Sequence, residues 1–391
     1  MSEQSCWSTI RNRRAAVRSY WIVLLLLVAI AGVVWFLQSR STDLLPTLTQ
    51  LRVAVGQIEN LEVDAARQTL VALNERFPDD PSLQQNLAVN AVSRLRQLSG
   101  TMANGSLDRQ QIDAAAAAFP DALADADFRI AQFQAAVGPN PIASWLRGRY
   151  NEVRAATADA GQPSHLLASE NAHFLIDQLA EHPQWLVLAG PLFAALEESS
   201  DDQLAVQALP VLVAASEANP RNLYLALETI RLAVAQESDH ATGLLKRSQE
   251  LARPLVSETE SIASSLKMQP LEVADKAIEA VANDDWRQAA LFTNYWTNMH
   301  KATAAYRADL RLATPHELDF ISFDLSQRLA SQWAQANQTS EAFTPVNLEI
   351  VEADAWSDRP ILQATWGDFN LDGRDRLGAA GLGIGGPLAT C

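Results

Sequence analysis

The sequence predicts a mostly α-helical protein with a single N-terminal transmembrane helix and a short C-terminal β segment. Three observations support this fold class. An uncharged apolar run occupies residues 21–37, and apolar residues recur every three or four positions through residues 44–340. Beyond residue 343, apolar and polar residues alternate in short stretches. With 391 residues, 48% of them hydrophobic, the chain can build substantial cores.

The segment 20–38 is predicted to be a transmembrane signal-anchor. Its 17-residue uncharged run would cover about 26 Å as a helix, close to the hydrocarbon thickness of a bilayer. Residues 1–19 form a basic arm with four arginines and one glutamate, and basic flanks stay in the cytoplasm. We therefore expect a single-pass membrane protein with a cytoplasmic N-terminus and its bulk on the extracytoplasmic or periplasmic side. A signal peptide cleaved after Ala29-Ile30-Ala31 is the alternative.

The net charge of the whole chain is −16. Nucleic-acid binding needs clustered lysine and arginine to neutralise phosphates. The charge therefore argues against a DNA or RNA partner, and we expect none.

Residues 61–92 predict a pair of helices. Ala66, Leu70 and Leu73 share one helical face, and Pro78 ends that helix a few residues later. Asp79-Asp80-Pro81 is a helix start. The small and apolar face of this second helix is formed by Leu87, Ala88 and Ala91.

This arrangement resembles a tetratricopeptide repeat over residues 47–92. A second, weaker copy is formed by Ala208, Leu212, Ala215 and Pro220. The resemblance implies that residues 44–340 form a superhelix whose concave groove binds another protein. The alternative is an irregular helical domain with one or two repeat-like hairpins.

Five tryptophans at helical apolar positions are predicted to be core or wedge residues: Trp145, Trp185, Trp286, Trp296 and Trp333.

The alanine run 114–118 is predicted to form a helix that Pro120 stops.

No catalytic motif accompanies the helical region. The six histidines include no HExxH pair, and neither a GxSxG elbow nor a Walker loop occurs. GLGIGG at 381–386 matches GxGxxG, but Pro387 and the last residues follow it directly, so no helix can receive a pyrophosphate there. We therefore predict no enzyme and no catalytic or cofactor-binding residue.

The C-terminal region 343–391 contains a calcium-like loop, WGDFNLDGRDRL. Asp368, Asn370 and Asp372 occupy alternate positions and supply hard oxygen ligands, and Gly373 permits the sharp turn. Asp375 is the fourth candidate ligand. The loop is not an EF-hand, because its twelfth position is an alanine rather than a bidentate glutamate.

This region resembles one FG-GAP or VCBS repeat, a family whose blades build propellers and hold calcium in such loops. The resemblance covers residues 361–381, a single partial repeat that cannot close a propeller. It implies Ca²⁺ as the candidate cofactor. An asparagine- and aspartate-rich structural turn is the alternative.

Together these patterns predict a membrane-anchored, non-catalytic scaffold whose exported helical-repeat domain binds an unidentified protein. The alternative is a truncated calcium-dependent adhesion protein of the propeller type, with the helices as its stalk.

Overall fold

The computed structural model describes residues 44–104, 106–157, 164–199, 201–265 and 268–336, together with 363–367 and 376–380. The helical part divides into two compact units. Within the described residues, unit 1 contains 44–138 and 317–336, and unit 2 contains 139–316 with 363–367 and 376–380.

The described helices follow one another with short connections. In chain order they are α1 (described from 44 to 59), α2 (Val63–Asn74), α3 (Pro81–Ala103), α4 (Arg109–Val137), α5 (Pro141–Ala156), α6 (Ser164–Glu181), α7 (Ala189–Ser199), α8 (Asp202–Ala218), α9 (Leu223–Ala235), α10 (His240–Ala252), α11 (Val256–Ser265), α12 (Pro270–Ala282), α13 (Trp286–Lys301), α14 (Ala304–Ala313) and α15 (Asp324–Ala336). Short 3-10 helices occupy Leu186–Leu188, Arg253–Leu255 and Glu317–Phe320.

The predicted pair of helices at 61–92 is confirmed as α2 and α3. The predicted face of α2, Ala66, Leu70 and Leu73, is fully buried. The helix ends before Pro78, and α3 begins where Asp80 caps it, since the Asp80 side chain accepts a hydrogen bond from the Leu83 N–H at 3.1 Å.

The second copy repeats this local plan in unit 2. Ala208, Leu212 and Ala215 are fully buried on α8. After Pro220, Asn222 caps α9, and its side chain accepts from the Leu225 N–H at 2.7 Å. The chain is therefore helical with repeated packing of neighbouring helices, as the sequence periodicity indicates.

The prediction that Pro120 stops a helix is wrong. Pro120 lies inside α4, which continues to Val137. Proline removes one backbone donor and so frees the carbonyl of the residue four positions earlier, here Ala116. Both Pro120 and Ala116 are exposed. The freed carbonyl therefore lies on the solvent side of the helix, where water can bond it.

The predicted single-pass localisation, and the transmembrane helix in the predicted fold class, are contradicted. Among the residues that the structure describes, no helix combines the length and the apolar character needed to span a bilayer. Helix α4 is long enough, but it carries six charges along its 29 residues: Arg109, Asp113, Asp121, Asp125, Asp127 and Arg129. Apolar residues cover one face of such helices, not the whole circumference. The run 20–38, on which the prediction was based, lies outside the described residues.

The predicted fold class also needs correction at its β segment, since the described residues of 343–391 form two short strands and show no propeller repeat. Residues 44–336 contain no strand in their described parts. Two five-residue strands, β1 (Gln363–Gly367) and β2 (Arg376–Ala380), form an antiparallel pair in which Gln363 faces Ala380 and Gly367 faces Arg376. The other residues of 343–391 lie outside the described part.

Candidate functional site

The candidate site in unit 1 is the face of α3 that meets a late segment of the chain. Helix α3 is buried along most of its length, and several of its buried residues are polar: Ser82, Gln84, Asn86, Asn90 and Ser93. Buried polar groups need hydrogen-bond partners to offset their lost hydration. The late segment, residues 317–328, supplies partners for two of them.

Asn86 makes the most specific contact of this site. Its side-chain amide donates to the Ser322 carbonyl at 2.8 Å, and its side-chain oxygen accepts from the Ser322 N–H at 2.7 Å. Ser322 lies in the non-helical stretch 321–323, between the 3-10 helix and α15. A backbone outside regular structure needs such partners, and Asn86 satisfies both groups of one residue.

Two more side chains of α3 bind the late segment. Gln85 donates from its amide to the Phe320 carbonyl at 2.6 Å. The Ser82 hydroxyl donates to the Ser322 hydroxyl at 2.8 Å and accepts from the Leu325 N–H at 3.3 Å. Five hydrogen bonds thus join Ser82, Gln85 and Asn86 to the late segment. All of them except the bond between the Ser82 and Ser322 hydroxyls involve the backbone of the segment. Most of this recognition therefore does not depend on the side chains of the bound residues.

Ion pairs hold both ends of the segment. At its start, the guanidinium of Arg96 binds the carboxylate of Glu317, whose side chain is only 4% exposed. At its end, Arg328 binds Asp80, the residue that caps α3. Because Glu317 pairs near the end of α3 and Arg328 pairs at its start, the segment runs antiparallel to the helix.

This arrangement can fix a peptide in position, direction and register. The amide of Asn86 sets the position, and ion pairs of opposite polarity at the two ends set the direction. Backbone contacts give affinity, and side-chain contacts give selectivity, as in other forms of peptide recognition.

The sequence-predicted metal residues are not part of this site. Asp368, Asn370, Asp372 and Asp375, with the turn residue Gly373, lie between β1 and β2 in sequence and outside the described residues. Among the residues that the structure does describe, no group of three or more histidine, cysteine, aspartate or glutamate side chains could hold a metal ion. The calcium loop therefore stays a prediction.

Two of the predicted core tryptophans are confirmed. Trp145 and Trp296 are 1% and 0% exposed. Trp185 and Trp286 are half-buried, and the side chain of Trp333 lies outside the described part.

The residues that bind the late segment were not predicted, although a signal exists. Ser82, Asn86, Asn90 and Ser93 follow one another at spacings of four, four and three. They form a polar row on a helix otherwise rich in leucine, valine and alanine. Such a row within a buried helix indicates that the helix binds something polar.

The comparisons with known proteins give no family for this chain. No protein-family model, no curated protein and no solved structure matches it. The resemblances to tetratricopeptide and FG-GAP repeats therefore depend only on the residues quoted above.

Proposed function

We propose that the chain is a non-catalytic helical scaffold that binds partner proteins, and that the segment-binding face of α3 is its recognition surface. The observation that carries this proposal is the pair of hydrogen bonds between Asn86 and the backbone of Ser322. A side chain that satisfies both backbone groups of one residue is suited to recognising a peptide main chain.

The late segment serves as a guide to the partner that this surface would accept. The matching ligand has a non-helical stretch, an acidic residue on its N-terminal side and a basic residue on its C-terminal side. In this chain those two positions are Glu317 and Arg328. The helical hairpins, similar to tetratricopeptide units, provide the rigid support that such a surface needs.

Binding of a free peptide tests the proposal. The probe is a fluorescent peptide of residues 315–330, and its target is the full chain carrying Glu317→Gln and Ser322→Pro, which weaken the segment already in place. Proline has no N–H, so it removes the donor to Asn86. We expect saturable binding, measured by fluorescence anisotropy, that weakens at least tenfold when the peptide itself carries Ser322→Pro.

A matched pair of variants separates recognition from folding. Asn86→Ala in the same target removes both backbone bonds and should weaken peptide binding at least tenfold. Asn90→Ala removes a buried asparagine one turn further along α3, whose amide donates to the Val63 carbonyl at 3.0 Å instead. It should leave peptide affinity within about threefold. Equal affinity in the two variants, or no saturable binding to a folded target, would contradict the proposal.

A further inference from the structure

Helix α9 in unit 2 is covered by a part of its own chain. Residues 222–230 are buried without interruption, so all sides of this stretch are covered. Its neighbours are α8, α10, α13 and α14. In an open helical repeat the inner helices line a groove and keep one face exposed. Here α14 lies on α9 and also packs on α7 and on the 3-10 helix Leu186–Leu188.

Two side-chain hydrogen bonds join α14 to α9, and few residues of α14 are buried. Of the ten residues of α14, Tyr306 and Ala313 are buried. The Tyr306 hydroxyl donates to the Glu228 carboxylate at 2.9 Å, and the Asp309 carboxylate accepts from the Leu223 N–H at 2.7 Å. Few buried apolar contacts characterise elements that open locally without global unfolding.

The negative charge of Glu228 keeps cationic partners if Tyr306 leaves. Arg231 donates to the second carboxylate oxygen of Glu228 at 2.8 Å, and the Lys301 ammonium lies 3.9 Å from the first. A buried charge without a partner would oppose release of α14 strongly. The two cations remove that obstacle, because neither belongs to α14.

Tyr306 is a hydrogen-bond donor over the whole physiological pH range. Burial, followed by the charge of Glu228, raises the pKa of Tyr306 well above its ordinary value. Its ring also packs edge-on against Tyr224, with centroids 5.6 Å apart. A helix that replaced α14 would need an aromatic hydroxyl at this position to make the same contacts.

We propose that the surface of α9 beneath α14 is a docking surface for an amphipathic helix of a partner protein, and that α14 is its displaceable occupant. The partner helix carries an aromatic hydroxyl, a carboxylate three residues later and a small residue four residues beyond, as Tyr306, Asp309 and Ala313 do in α14. All of these positions share one helical face. The proposal concerns unit 2 alone and does not depend on the surface of α3.

The first test uses a free copy of α14. The target is the full chain with Tyr306→Phe and Asp309→Asn, which weaken the resident helix and leave α9 unchanged. The probe is a fluorescent peptide of residues 302–316, and the matched control peptide carries the same two substitutions. We expect the native peptide to bind at least tenfold more tightly than the control peptide. The unsubstituted chain should bind it at least tenfold more weakly, because a tethered helix competes at an effective concentration on the order of millimolar.

Equal affinity for the two peptides would overturn the proposal. So would the absence of saturable binding to a variant whose circular dichroism matches that of the unsubstituted chain.

The second test releases α14 without changing it. A Cβ on Gly190, in α7, would come within 3.0 Å of the Ala313 carbonyl and of Thr314. Gly190→Ala therefore displaces the end of α14, whereas Gly243→Ala, in α10, meets no atom within 4 Å. Trypsin should cleave after Arg307 and Arg311 at least tenfold faster in Gly190→Ala than in Gly243→Ala.

Two outcomes of this second test would overturn the proposal. One is an equal rate of cleavage within α14 in both variants. The other is simultaneous cleavage within α10, for example after Arg247, because α14 would then leave only when unit 2 unfolds.

Discussion

At the scale of single residues, His300 is the buried titratable group that connects α13 to α14. It is 1% exposed. Its ring packs edge-on against the ring of Trp296, with centroids 4.2 Å apart. Its Nδ1 lies 2.7 Å from the Trp296 carbonyl and donates to it. Its own carbonyl accepts from the hydroxyl of Thr303, the residue that caps α14. Burial lowers the pKa of His300, although its bond to Trp296 and the charge of Glu258 act in the opposite direction.

The lowered pKa predicts the sign of a pH effect. In the unfolded chain a histidine titrates at about 6.5. As pH falls below that value the unfolded state binds the proton first, so the free energy of unfolding decreases until the folded-state pKa is passed. We expect urea unfolding to show a larger loss of stability between about pH 7.5 and pH 5.5 in the unsubstituted chain than in His300→Gln.

The exposed His240, at the start of α10, provides the control. His240→Gln should lose as much stability over the same pH interval as the unsubstituted chain. If His300→Gln loses as much as well, His300 is not the group responsible.

At the scale of elements, the sequence predicts those helices whose signals are local. The buried faces of α2 and α8 follow from three- and four-residue spacing, and the start of α3 follows from Asp79-Asp80-Pro81. Helix α4 continues through Pro120 because Pro120 lies on the solvent-exposed face of the helix. The spacing of residues in the sequence alone does not reveal which face of α4 is exposed.

The strand pair β1 and β2 is the element to which the calcium prediction belongs. The pairing of Gly367 with Arg376 leaves residues 368–375 as the link between the strands, and all four candidate ligands fall within it. If the loop binds Ca²⁺, calorimetric titration of the full chain should give saturable heat at about 1 mM calcium, the range of weak extracellular sites.

The matching variant removes two of the candidate ligands. Asp368→Ala with Asp372→Ala should abolish that heat and leave the helical circular dichroism unchanged, because neither position belongs to a described helix. Equal heats in the unsubstituted chain and in this variant would mean that Asp368 and Asp372 do not bind Ca²⁺. The loop would then be the asparagine- and aspartate-rich structural turn.

At the scale of the whole molecule, two central helices share one plan. Helices α3 and α9 each follow a proline-containing loop, each begins at a capping aspartate or asparagine, and each is covered by a segment from later in the chain. The partners Asn86 and Ser322 are 236 residues apart. No local pattern relates residues at that distance. The sequence therefore indicated a helical domain but not which of its helices are covered by later segments of the chain.

The central claim is that these covering segments are held by contacts weak enough to open while the units stay folded. Hydrogen exchange of the unsubstituted full chain, followed by mass spectrometry, measures this directly. We expect amides in 304–313 and 317–328 to exchange at least about 100-fold faster than those in the interiors of α3 and α9. If all four regions exchange at the same slow rate, the segments open only with global unfolding, and the claim is contradicted.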